Sequence, residues 1–252
     1  YRCDWSSDVC SSDLIMASAA GDNDIPTSCI EIEARANPET NYNIIRNCSL
    51  TGSVAGIEAS YTFLNDSNEF EVAEGGGAHG VVDNVSFTNL DYFFVSGNAN
   101  ARHWHFNNIV GSETTAKETT VFKLTRGGAI TANGVKLGIS KATLFDVENY
   151  SRSSQRLVCD NLYWDERTTG SHYLSLFKYS GSTGDASSKH WMARVTGMID
   201  NTPSSPTYDT SKFIQVSALA LNFPLDDLLF DISNLPLDHF RLVGNGPWVR
   251  PE

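Results

Sequence analysis

The feature that most constrains this chain is a degenerate repeat of short apolar runs, each interrupted by Asn or Asp. Residues 44–50 (IIRNCSL), 81–87 (VVDNVSF), 104–110 (WHFNNIV), 144–150 (LFDVENY), 157–163 (LVCDNLY) and 229–235 (LFDISNL) share the pattern, and 194–200 (RVTGMID) is a looser copy. A second short run follows each: 56–60 (GIEAS), 93–97 (FFVSG), 122–126 (FKLTR), 177–181 (FKYSG), 214–218 (IQVSA) and 240–244 (FRLVG), with 155–159 (QRLVC) as a weaker member. The second runs recur at intervals of roughly 22 to 37 residues, a spacing that suits the turns of a solenoid. Almost no stretch after Ile15 shows an apolar period of 3.6 residues. Runs rich in Val, Ile, Phe, Tyr and Thr, punctuated by Asn, Asp, Gly and Ser, read as strands and turns. A unit this short cannot bury its own apolar side chains, whereas like strands stacked about 4.8 Å apart build a continuous core. The expected fold is therefore all-β, a single-stranded solenoid of about seven coils.

The recurring amide explains how such a coil can turn. Asn tolerates left-handed backbone angles, and Asn stacked on Asn ladders hydrogen bonds between coils. Asn47, Asn84, Asn108, Asn149, Asn161 and Asn234 are the candidates for that ladder. The Asn-x-Ser strings at Asn47, Asn65, Asn84 and Asn149 are read as turn chemistry more than glycan acceptors. Taken over residues 40–245, this organisation resembles the right-handed parallel β-helix of the pectate-lyase-like superfamily. A β-sandwich or jelly roll also yields many short strands. Against it, the chain lacks a tight hairpin signal between alternating strands, with Asn133-Gly134 the nearest candidate.

Residues 1–14 are set apart. Asp4–Leu14 (DWSSDVCSSDL) resembles the translation of a sequencing adapter, so residues 1–14 are expected to be a non-native leader and 15–252 the β-helix domain, itself a fragment. The whole chain carries 18 Lys and Arg against 30 Asp and Glu, a formal charge of −12, and it stays strongly acidic without Arg2, Asp4, Asp8 and Asp13. That balance argues against a general nucleic-acid binder. No apolar run is long enough for a membrane span. Outside the leader the cysteines are Cys29, Cys48 and Cys159, with neither a Cys-x-x-Cys pair nor metal-ligand spacing.

Aligning the second runs on their first apolar residue puts Glu58, Phe94, Lys123, Arg156, Lys178, Gln215 and Arg241 in one column. The neighbours of Phe94, Lys123, Lys178, Gln215 and Arg241 are apolar, so strand alternation turns this column outward. Lys123, Arg156, Lys178 and Arg241 would then form a basic strip on an acidic protein. Arg offers a carboxylate bidentate recognition, and Lys supplies a compact charge. Long basic side chains also simply keep an exposed sheet soluble. Lyases of the resembled fold pair a carboxylate-neutralising cation with a base that removes the C5 proton of a uronate. The resemblance accordingly implies Lys178 and Arg156 as catalytic candidates, and Lys123, Arg241 and Gln215 as substrate-binding ones.

Other constellations are weaker. His103-Trp104-His105, Tyr163-Trp164, His172-Tyr173 and His190-Trp191 put rings beside polar tips; such rings stack on sugars when exposed and otherwise fill the core. His103 and His105 share one side of a strand but have no third metal ligand in view. Residues 75–80 (GGGAHG) lack the Lys-Ser/Thr of a phosphate loop, and Ala78 interrupts the Gly-His-Gly of hydrolases that share the resembled fold. Asp226-Asp227 is the only adjacent Asp pair, too little for a hydrolase needing spaced carboxyls. The Arg-x-Pro-x-x-Arg string of pectate lyases is also absent. Loops at 65–80, 111–120 and 202–208 are placed to shape a cleft.

The expected function is that of an extracellular, periplasmic or cell-surface carbohydrate-active protein, a polysaccharide lyase cleaving an acidic, uronate-containing glycan by β-elimination. The alternative is a non-catalytic glycan-binding or phage-tail-like adhesion solenoid, and a third is a structural stalk. The expected partner is an acidic polysaccharide, without nucleic acid. No cofactor or metal is predicted, and calcium has no support in the residues.

Overall fold

A computed structural model describes residues 28–32, 43–52, 54–59, 62–64, 70–72, 80–96, 103–115, 117–124, 129–147, 155–165, 173–179, 191–200, 214–216 and 227–233. The chain alternates between two seven-stranded sheets. The first holds β1 (Ser28–Ile32), β3 (Ala55–Ala59), β7 (Tyr92–Ser96), β9 (Glu118–Leu124), β11 (Lys141–Val147), β13 (Tyr173–Tyr179) and β15 (Ile214–Val216), in that spatial order. The second holds β2 (Asn43–Thr51), β6 (Gly80–Thr88), β8 (Trp104–Ser112), β10 (Ala129–Gly138), β12 (Gln155–Asp165), β14 (Trp191–Asp200) and β16 (Asp227–Ser233), also in chain order. Every neighbouring pair in both sheets is parallel. A short antiparallel pair, β4 (Thr62–Leu64) with β5 (Phe70–Val72), stands apart. Strands that return to the same sheet only after visiting the other are consistent with a β-solenoid, and parallel pairing excludes a sandwich of antiparallel sheets for these residues. No helix among them is long and apolar enough to cross a membrane.

Five of the seven strands of the second sheet carry one left-handed residue each. Asn47, Asn84, Asn108 and Asn161 have φ between 52° and 58°, and Gly134 takes the same place in β10 with φ of 73°. These residues sit inside strands rather than between them. Each inserts one step into the alternation, so Trp104 and Phe106 before Asn108, and Ile109 and Gly111 after it, are all buried. The same slip puts Val82, Val85 and Phe87 of β6, and Ile130, Ala132, Val135 and Leu137 of β10, in the core. The amides also join coils: Asn84 Nδ2 donates to Asn47 Oδ1 at 2.7 Å, and Asn161 Nδ2 donates to Asn133 Oδ1 at 2.7 Å. The register slips by one residue between β12 and β14, where Thr196 alone, without left-handed angles, stands opposite Asp160 and the left-handed Asn161. Asn149 and Asn234 lie outside the described residues. Asn133-Gly134 belongs to this ladder and forms no hairpin turn.

Aromatic stacking fills the space between the sheets. Ile57, Phe94, Phe122, Phe145 and Phe177 are partners strand by strand across the first sheet. Phe94 lies 4.9 Å from both Trp104 and Phe106, and Phe122 lies 4.8 Å from Phe106 and 5.4 Å from Phe145. Gly80 leaves room for the Trp104 ring, since a Cβ there would fall 2.1 Å from it. Cys159 is wholly buried in this core; desolvation, with a smaller contribution from the Asp160 charge, pushes its thiol far above the usual range. Among the described residues no disulfide joins Cys29, Cys48 and Cys159.

Candidate functional site

One register row of the first sheet gathers most of its charged candidates. Successive register partners place Glu58 beside Val95, Val95 beside Lys123, Lys123 beside Asp146, Asp146 beside Lys178 and Lys178 beside Gln215. The core position of Phe122 and Leu124 turns Lys123 outward, and Phe145 with Val147 does the same for Asp146. Consecutive residues Val121 and Phe122, Leu144 and Phe145, and Leu176 and Phe177 are all in the core, so these strands do not alternate strictly along their whole length.

At the centre of the row, Asp146 Oδ2 accepts from Lys123 Nζ at 3.0 Å and from Lys178 Nζ at 3.2 Å. The side chains of Lys123 and Asp146 are 6% and 3% exposed, whereas that of Lys178 is 35% exposed. Asp146 Oδ1 is buried and has no hydrogen-bond partner among the described residues. Glu58 is buried as well. Two ammoniums from strands on either side thus share one carboxylate, and of this trio only Lys178 reaches solvent to any extent.

The expected basic strip is corrected in three places. Arg156 belongs to the second sheet, in β12 between Ala129 and Met192, and is exposed there. The string around it imitates a second run, but the member that belongs in the row is Asp146 of β11. The residue in β7 is Val95, because Phe94 is the partner of Phe122. Lys123 and Asp146 are covered, so the row is not an open strip of cations. Lys178 and Gln215 are register partners, as expected. Arg241 lies outside the described residues. Sequence reasoning misses Asp146 because residues 144–150 align with the Asn-bearing runs. The signal is the triplet Phe145-Asp146-Val147, which matches Phe122-Lys123-Leu124 once an acid is allowed in the middle.

The remaining candidates are dispersed. His103 and His105 are exposed, His105 on the outer face of the second sheet, with Trp104 buried between them. Trp164 is buried and donates from Nε1 to the Ile139 carbonyl at 2.7 Å. Tyr163 is partly exposed with Lys136 Nζ 5.2 Å from its ring centre. Tyr173 is buried; residues 75–79, His172, His190, Asp226 and residues 202–208 lie outside the described residues. Among the described residues no group of three His, Cys, Asp or Glu side chains could hold a metal. No family model, curated protein or solved structure matches the chain.

Proposed function

We propose that this chain is a right-handed parallel β-helix of about seven coils, akin to the pectate-lyase-like superfamily, and that it binds an acidic glycan outside the cytoplasm. The observation that carries this reading is the half-open Lys178, held in place by Asp146 on a rigid sheet. A cation oriented in this way is ready to meet a carboxylate without the entropy of ordering a free side chain. Binding follows more directly than β-elimination, because elimination needs a base and a neutralising cation at one sugar, and Lys178 and Arg156 stand on different sheets.

The test is to offer alginate, polygalacturonate, glycosaminoglycans and glucuronoxylan, following retention in affinity gels together with the absorbance of unsaturated products. Retention of at least one acidic polymer without product, and its loss in Lys178→Ala, is the expected result. Growing absorbance would restore the lyase reading. Absence of both retention and product on every polymer would overturn glycan recognition.

A further inference from the structure

We infer that an acidic glycan is held at a second place, on the outer face of the second sheet, where Lys136 takes a sugar carboxylate and Tyr163 with Met198 takes the ring. This rests on the glycan-binding reading and adds a contact that does not involve Lys178. Val110 of β8, Lys136 of β10, Tyr163 of β12 and Met198 of β14 are successive register partners. Ile109 and Gly111, Val135 and Leu137, and Leu162 and Trp164 are buried on either side of the first three, so the row points outward. Val110 and Met198 are 45% and 41% exposed, Lys136 is exposed and Tyr163 is half-buried. Spaced about 4.8 Å from coil to coil, the four side chains form an open strip about 14 Å long.

What sets Lys136 apart is the partner that orients it. Lys117, Arg194 and Lys178 are each held by a carboxylate, at 2.6, 2.6 and 3.2 Å. Lys136 Nζ is held over the Tyr163 ring, 5.2 Å from its centre, and its register neighbours are Val110 and Tyr163. A ring positions an ammonium without neutralising it, so the charge is left for an anion from solution. The apolar side chains of the strip favour an anion that carries hydrocarbon surface. A uronate does so: its carboxylate pairs with Lys136 while the C–H face of its ring covers Met198 and the open part of Tyr163. The exposed amides of Asn108 and Asn161, two residues before Val110 and Tyr163, run beside the strip and offer donors and acceptors to hydroxyls. One exposed ion pair contributes little by itself, here as at Lys178. A polymer that engages both sheets gains by avidity what neither place supplies singly, whereas a trisaccharide is too short to pass from one outer face to the other.

The test follows the methionine methyl resonances of the full chain, with Met198 assigned through Met198→Leu, during titration with trigalacturonate and trimannuronate and with both after carboxyl reduction. The Met198 methyl should shift with at least one acidic trisaccharide and with neither reduced form. The shift should vanish in Lys136→Gln and persist in Lys178→Ala. On affinity gels of the acidic polymer, Lys136→Gln should weaken retention by about tenfold or more although Lys178 is intact. A Met198 methyl that neither acidic trisaccharide moves, or that moves as much with the reduced sugars or in Lys136→Gln, overturns the second contact and leaves the Lys178 reading standing. Retention that Lys136→Gln leaves unchanged overturns the joint grip of the two sheets. Retention that survives Lys178→Ala while the Met198 shift holds overturns the Lys178 reading and leaves this contact standing.

Discussion

A carboxylate shared by two ammoniums on neighbouring strands is strongly conditional. Desolvation of Lys123 and Asp146 is offset in part by the pairing of their charges. Asp146→Ala should therefore lower stability by about 3 kcal/mol, the low end for breaking a buried pair, because Lys178 can turn to water. Asp146→Asn, which keeps an acceptor oxygen, should lose less. Urea denaturation measures both, and equal midpoints for wild type and Asp146→Ala would show that the shared carboxylate contributes nothing. The outward direction of Lys123 and Lys178 was legible from Phe122, Leu124 and Phe177 alone. Their burial and partner were not. Alternation fixes which side a residue takes, but says nothing of what covers that side, and a sequence column of cations conceals the acid of an intervening strand.

At the scale of the strand, the left-handed residue decides everything after it. A one-residue slip flips every later side chain, so Asn108 is what lets both Phe106 and Ile109 face inward. The amides of Asn47, Asn84, Asn108 and Asn161 were legible as residues that accept such angles. The fifth position was not, because Gly134 gives the same backbone freedom without the amide that marks the pattern. This makes Gly134 a sharp test. Gly134→Ala forces an ordinary side chain into left-handed geometry and should cost about 1–2 kcal/mol. Gly134→Asn suits that geometry better and extends the ladder, although its Cβ would lie 3.3 Å from Asn108 Oδ1 and requires a small shift of that amide. Thermal melts should rank Gly134→Asn above Gly134→Ala. The reverse ranking would mean that the ladder position is governed by space and not by backbone angle.

For the whole molecule, stacked parallel coils imply that a coil is a removable unit, provided the cut respects the phase. Asp83 and Asn107 are register partners, as are Val85 and Ile109, so Asn84 and Asn108 occupy equivalent places. Deleting residues 84–107 joins Asp83 directly to Asn108. It keeps one left-handed residue at the junction and removes β7 together with half of β6 and half of β8. In the first sheet β3 would then adjoin β9, which brings Glu58 beside Lys123 and makes the polar row alternate in sign without Val95. Such a chain should still fold, with unchanged β-sheet circular dichroism per residue. Its stability should be lower, because Phe94, Trp104 and Phe106 leave the core and Gly80 loses the ring it accommodates. Deleting residues 84–106 differs by one amino acid yet puts Asp83 and Asn107, which hold equivalent outward places, in succession. Every side chain from Ile109 to Ser112 would then point the wrong way, and this variant should fail to fold. Solenoid stability is roughly a sum over neighbouring repeats, so the in-phase deletion should cost a fraction of the total and the out-of-phase one nearly all of it. Both deletions behaving alike in circular dichroism and proteolysis would mean that coil phase does not hold the two sheets together.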